Sequence, residues 1–221
     1  MSIQVQEPYG LARRLRLIAI TDSGLAAPRR VVDVVEAALR AGAPAVQLRD
    51  KVLPPRDLLP LARRLRALTG AAGALFFVND RLDLALAAGA DGVHLGPDDL
   101  PVAAARRIAP PGFLIGHSAD DPDAARAAVA AGADYIGSGA VFPTSTKADA
   151  GAAIGVRRLG EVARCVDVPV VAIGGVTVRN APRVFAAGAA GCAVVSAVMG
   201  APDPGRAVRG FLRAGAARPT P

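Results

Sequence analysis

Short apolar runs alternate with longer amphipathic stretches along the whole chain. The runs fall at 16–21, 45–49, 75–79, 92–95, 113–117, 135–138, 170–173 and 192–196. They are often β-branched and are bounded by Gly, Pro or Asp, as strands are. Between them the pattern predicts helices over 29–40, 55–68, 81–87, 101–108, 122–130, 155–166, 178–186 and 204–213. Strict alternation predicts a parallel sheet, because each return to the start of the next strand needs a crossover. Eight such units predict an α/β fold of one kind, a single-domain (β/α)₈ TIM barrel.

An internal repeat supports the count. Ala41-Gly-Ala-Pro-Ala-Val recurs as Ala88-Gly-Ala-Asp-Gly-Val, Ala131-Gly-Ala-Asp-Tyr-Ile and Ala187-Gly-Ala-Ala-Gly-Cys. Each copy puts a glycine just past a predicted helix, where a left-handed residue closes the last turn, and a strand starts at once. The glycines at 42, 89, 132 and 188 are 43 to 56 residues apart, which suits two βα units per copy. No linker divides the chain. A barrel over 15–214 is expected, with an N-terminal extension at 1–14 and a C-terminal tail at 215–221.

Composition and charge change this picture further. Hydrophobic residues make up 52%, aromatics only 4%, and Trp is absent, so the core is aliphatic. That suits strands buried on both faces. The net charge of +7 comes mostly from arginines scattered along predicted helices, with no interleaved aromatics for base stacking. A solvated, Arg-rich surface is the reading, and no nucleic-acid partner is expected. No run nears the ~18 apolar residues that span a membrane, and residues 1–15 hold no apolar stretch long enough for a secretory signal. Cys165 and Cys192, in a predicted helix and strand, read as small core residues of a reduced, cytoplasmic protein. Only Lys51 and Lys147 among the 26 basic residues are lysines, which marks positions needing a compact ammonium.

Chemistry in such a barrel sits at the C-terminal strand ends. At the second strand, alternation puts Gln47 and Arg49 on the face opposite Val46 and Leu48. Polar groups turned into a barrel are costly unless something binds them, either a ligand or an internal ion pair with Asp50 or another carboxylate. The third and fourth strands end in Asn79-Asp80 and in His94-Leu-Gly-Pro-Asp98-Asp99. Carboxylates without nearby Cys suit Mg²⁺, although Asp80 and Asp99 also precede predicted helices and could cap them. His94 reads as a satisfied barrel residue, and His117 is open. The stretch from Ser138 to Lys147 ends in hydroxyls and an ammonium, an anion-binding loop or a plain polar one. Gly174-Gly175 and Val195-Ser196 end strands seven and eight, where such barrels bind phosphate. With no cysteine nucleophile and no Ser-His-Asp order, this mouth points to handling phosphates with Mg²⁺.

At these residues the chain resembles the thiamine phosphate synthase family. The matching segments are Gln47-Leu-Arg-Asp-Lys51, Val78-Asn-Asp80, Gly92-Val-His-Leu-Gly-Pro-Asp-Asp99, Gly116-His-Ser118, Gly137-Ser-Gly-Ala-Val-Phe-Pro-Thr-Ser-Thr-Lys147 and Ala172-Ile-Gly-Gly-Val176. The Pro-Thr-x-Thr-Lys loop is the most specific. The resemblance implies a transferase that joins 4-amino-2-methyl-5-(diphosphooxymethyl)pyrimidine to a thiazole phosphate and releases pyrophosphate. It implies that Gln47, Arg49, Lys51, Asn79, Ser118 and Lys147 hold the pyrimidine diphosphate and that Asp80 and Asp99 hold Mg²⁺. Thr144, Ser145, Thr146, Gly175, Val195 and Ser196 would hold the thiazole phosphate. Arg49, Lys51, Lys147 and Ser118 form the implied catalytic set, and the loop 144–151 is expected to close over substrate. Family members often have Pro where Ala140 stands. The related thiazole tautomerases have His where Asp120 stands, and His117 keeps that alternative open. A different phosphate-binding barrel with an acid/base pair, and a non-catalytic ligand-binding barrel, also stand. Oligomeric state is open, a homo-oligomer included.

Overall fold

The eight apolar runs become eight parallel strands that hydrogen-bond in chain order and close into a barrel. In the computed structural model, which describes residues 8–144, 146 and 152–216, these are β1 (Leu17–Ile20), β2 (Ala45–Leu48), β3 (Leu75–Asn79), β4 (Gly92–Leu95), β5 (Leu114–Ser118), β6 (Tyr135–Ser138), β7 (Val170–Ile173) and β8 (Gly191–Val194). The helices are α1 (Pro8–Arg14), α2 (Ser23–Ala26), α3 (Val31–Arg40), α4 (Pro55–Ala71), α5 (Leu82–Ala87), α6 (Val102–Ile108), α7 (Pro122–Ala130), α8 (Gly155–Cys165), α9 (Ala181–Ala186), α10 (Ser196–Met199) and α11 (Pro204–Ala216). None is long and apolar enough to cross a membrane, among the described residues.

The pattern predicts no helix at α1, α2 or α10. Four residues are too few to show a 3.6-residue period, which is why α2 and α10 escape it. The eighth strand is the main correction: it stops at Val194, and Ser196 opens α10 instead of ending the strand. Similarly, α9 begins at Ala181 rather than 178, because Thr177 and Asn180 close a turn of their own through reciprocal side-chain bonds.

Period-two alternation sorts the strand residues into two cores. Val46, Leu48, Phe76, Val78, Val93, Leu95, Ile115 and Ile136 face the helices. Ile18, Ile20, Ala45, Leu75, Phe77, Leu114, Tyr135, Val171 and Ala193 face the barrel axis, with Leu11 and Leu15 packed among them. Inward glycines make room for the few large rings. A Cβ at Gly92 would lie 2.8 Å from the Phe77 ring, and one at Gly116 would lie 2.1 Å from Tyr135 Cζ. Burying an apolar side chain of this size contributes roughly 1.5–3 kcal/mol.

The repeat lies at the opposite end from the mouth. Gly42, Gly89, Gly132 and Gly188 all adopt positive φ, between 65° and 107°. The aspartates of the second and third copies then do matching work. Asp91 accepts from Phe76 N at 2.8 Å and from Arg66 at 3.3 Å. Asp134 accepts from Ile115 N at 2.7 Å and from Arg106 at 2.5 Å. Each carboxylate satisfies a strand N–H at the barrel floor and is held by an arginine from a helix.

Candidate active site

Moving up β2, β3, β4 and β5 by two residues changes the axis-facing positions from apolar to polar, while β1, β7 and β8 stay apolar. Phe77 gives way to Asn79, Gly92 to His94, Gly116 to Ser118 and Ala45 to Gln47. The structure thereby brings Gln47, Asn79, His94 and Ser118 to one end of the barrel, with registry pairing Asn79 with His94 and Ser118 with Gly137. Gln47 is buried there.

Arg49 follows the end of β2, and Thr21 sets its backbone. The Thr21 hydroxyl donates to the Arg49 carbonyl at 3.1 Å and accepts from the Arg49 N–H at 2.9 Å. No ion pair to the Arg49 guanidinium is found among the described residues, so the internal pair with Asp50 does not form. Asp50 instead shapes the next loop, accepting from Val52 N and Leu53 N at 2.8 Å each.

Asp80 is the only non-glycine among the described residues at positive φ, 64°. A left-handed aspartate is tolerable but uncommon, and such strain collects at functional sites. Its N–H donates to the His94 carbonyl at 2.8 Å, and its carboxylate accepts from Lys51 Nζ at 2.8 Å. Asp99 lies beside it and closes a turn by accepting from Gly96 N at 2.6 Å. Burial raises the Asp99 carboxyl above the usual carboxylate range; the neighbouring Asp80 adds to this, while the Gly96 N–H and Lys51 oppose it. Neither aspartate is a helix cap, since the residues flanking α5 and α6 are Arg81 and Pro101. Asp98 is exposed. Among the described residues no group of three or more His, Cys, Asp or Glu forms a metal cage. Two neighbouring carboxylates, one of them raised by burial and by the other, fit a hard cation completed by water and phosphate oxygens.

On the other side of the mouth the loops after β6 and β7 are fastened together. Val141 N donates to the Ile173 carbonyl at 2.8 Å and Phe142 N to the Gly174 carbonyl at 3.1 Å. Gly174 and Gly175 have φ of 86° and 63°; a Cβ on the first would lie 2.5 Å from Ala140 Cα, and on the second 2.6 Å from the Pro143 carbonyl. Thr146 reaches Ser196 across this gap, hydroxyl to hydroxyl at 3.5 Å, and Val195 precedes α10 beside it. Thr144 accepts from Thr146 N at 3.3 Å. Ser145, Lys147 and the closing motion expected of the loop 144–151 lie outside the described residues. Asp120, where tautomerases have His, binds Gly139 N at 2.8 Å and so holds the end of β6.

The two histidines sit on opposite faces. His94 faces the axis, with Nδ1 3.0 Å from the Tyr135 hydroxyl and Nε2 3.0 Å from the Ser118 hydroxyl. His117 pairs in register with Leu95 and Ile136, both outer-core residues, and so faces the helices. Its Nδ1 is buried without a partner among the described residues, and burial lowers its proton affinity. The residues that sequence reasoning passed over are Thr21 and Tyr135. Tyr135 is a polar group within a mostly apolar strand and Thr21 one directly after an apolar strand, and that mismatch is the available signal.

The model of one family, thiamine monophosphate synthase, matches residues 17–198. A thiamine-phosphate synthase from Methanoculleus marisnigri is 52% identical over 193 residues, 87% of this chain and 92% of that protein. One from Roseiflexus castenholzii is 50% identical over 199 residues, 90% of this chain and 87% of that protein. The solved thiamine phosphate pyrophosphorylase from Pyrococcus furiosus superimposes with a TM-score of 0.86 at 44% identity, covering 93% of this chain and 98% of its own.

Proposed function

The chain belongs to the thiamine monophosphate synthase family and is a transferase of thiamine biosynthesis, and we propose that its reaction is divided between the two sides of the barrel mouth. The supporting observation is the Lys51–Asp80–Asp99 constellation, charged groups drawn together from three consecutive strand ends. In this reading Gln47, Arg49, Lys51, Asn79, Ser118 and Lys147 hold the pyrimidine diphosphate, while Asp80 and Asp99 take a divalent cation, Mg²⁺. Thr144, Ser145, Thr146, Gly175, Val195 and Ser196 hold the thiazole phosphate.

The reaction breaks the bond between the pyrimidine methylene carbon and the diphosphate oxygen. The electron pair leaves on pyrophosphate, and the pyrimidine ring stabilises the cation left behind. The thiazole nitrogen then supplies its lone pair to form the new carbon–nitrogen bond. Neither step removes a proton, in keeping with a mouth whose axis-facing histidine is already hydrogen-bonded on both nitrogens. Negative charge grows on the leaving group, and fixed positive groups stabilise that growth. One such group ~4 Å away contributes on the order of 4 kcal/mol at an effective dielectric of 20. Arg49 and Lys51 serve this way from the chain; Lys51 is 59% exposed and so able to turn from Asp80 to the diphosphate. Mg²⁺, when bound, supplies further positive charge to the same oxygens. The reaction is assigned to the cytoplasm, where the free thiols of Cys165 and Cys192 stay reduced.

The test mixes purified protein with both phosphorylated substrates, with Mg²⁺ or with chelator, and follows thiamine phosphate. Product that depends on Mg²⁺ is expected. Equal product in chelator would remove the cation from Asp80 and Asp99, and no product from folded protein would remove the division of labour altogether.

A further inference from the structure

We propose that His94 is a positioning residue, held by Tyr135 in the tautomer that carries its proton on Nε2, so that Ser118 must offer its own hydroxyl proton to the bound pyrimidine diphosphate. The inference rests on the reading of Ser118 as a contact for that substrate. Three axis-facing residues from three adjacent strands form the chain: Tyr135 on β6, His94 on β4 and Ser118 on β5. The two links are 3.0 Å each.

Proton counting sets the direction. The Tyr135 phenol is 1% exposed, and burial raises its proton affinity, so it stays a neutral O–H donor. The acceptor it reaches among the described residues is His94 Nδ1. A buried hydroxyl that fails to donate is costly, so Tyr135 gives its proton to Nδ1. A neutral imidazole accepting at Nδ1 carries its hydrogen on Nε2 and donates it to the Ser118 oxygen. Ser118 has a single hydrogen. With its oxygen already accepting from His94, that hydrogen is left for the mouth. Reversal of the first link would reverse the last: Nε2 would then accept from Ser118, and the substrate would meet only lone pairs.

The geometry also holds the ring still. His94 Cε1 lies 2.8 Å from where a Cβ on Gly137 would be, and the imidazole stacks at a tilt on Tyr135 with centroids 5.4 Å apart. Gly137 and Gly116 are thus both small so that the His94 and Tyr135 rings can occupy the axis below Ser118.

The first test is the tautomer, read from nitrogen-15 shifts of labelled, ligand-free full-length protein. The chain has two histidines, so the His117→Gln variant assigns the signals. Nε2 protonated on His94 is expected, and Nδ1 protonated would overturn the proposal. The second test is kinetic. Tyr135→Phe keeps the ring and is expected to lower kcat about three- to tenfold, the worth of one buried hydrogen bond, with the KM for thiazole phosphate unchanged. In the Ser118→Ala background the same change should cost less than about twofold, because both act through one hydroxyl. Fully multiplied losses would overturn the positioning role. A wild-type protein with the expected tautomer and no synthase activity would uphold the lock and sink instead the reading of Ser118 as a substrate contact.

Discussion

The floor and the mouth of this barrel are built from the same eight strands, two residues apart, and they do different work. At the floor, Leu11, Leu15, Leu75 and Phe77 fill the axis and the repeat aspartates tie strand N–H groups to arginines. At the mouth, the next axis-facing positions are Gln47, Asn79, His94 and Ser118, and the loops beyond add Lys51, Asp80 and Asp99. A single step of the strand period therefore separates residues that hold the barrel from residues placed to meet ligand. Changes at the floor should cost stability and spare turnover per folded molecule, and changes at the mouth should do the reverse.

The largest effect that would expose this division is Phe77→Ala. It removes an axis-filling ring beside Gly92 and should cost about 3–5 kcal/mol of folding free energy, measured by denaturant unfolding. Asp134→Ala comes next. It leaves the Ile115 N–H without its side-chain acceptor and Arg106 without its carboxylate, and should cost about 1–3 kcal/mol while turnover by the folded fraction stays within twofold of wild type. Gly175→Ala sits on the mouth side of the line. The left-handed backbone and the nearby Phe142 and Pro143 carbonyls should raise the KM for the thiazole phosphate, with a stability cost of about 1–2 kcal/mol. A larger loss of stability than of affinity would blur the comparison.

The smallest expected effect concerns His117, which belongs to neither group. Its folded proton affinity is below the ordinary value, so from pH about 6.5 downward the unfolded chain binds more protons than the folded one. Stability should accordingly fall as pH drops below that value, and His117→Gln should flatten the fall. A change in turnover at neutral pH would instead return His117 to the mouth and revive the tautomerase reading.

Much of this is legible in the sequence. Long-range regularity carried the barrel: eight apolar runs in phase with eight amphipathic stretches, and a repeat whose glycines do take the left-handed conformation. Alternation also put Gln47 on the axis, since period two survives in strands of four residues. What stayed hidden depended on short or cross-chain geometry. α10 is one turn long and carries no period of its own. The pairing of Lys51 with Asp80, and of Thr21 with the Arg49 backbone, joins neighbouring strands across 28 or 29 residues of sequence, and nothing local announces either. His117 shows the limit from the other direction. Its place at a strand end leaves its role open in the sequence, and one residue of phase turns it toward the helices, while His94 one strand away faces the axis.

The most direct test of the division between floor and mouth is one variant measured twice. Asp99→Asn keeps a side-chain oxygen for the Gly96 N–H and removes the charge beside Asp80. Its melting temperature should stay within about 3 °C of wild type, a stability change under about 1 kcal/mol. Its turnover with both substrates and Mg²⁺ should fall more than about tenfold, or more than about 1.4 kcal/mol in the barrier. A protein that melts much earlier yet turns over normally would show Asp99 to be part of the scaffold, and would contradict the account.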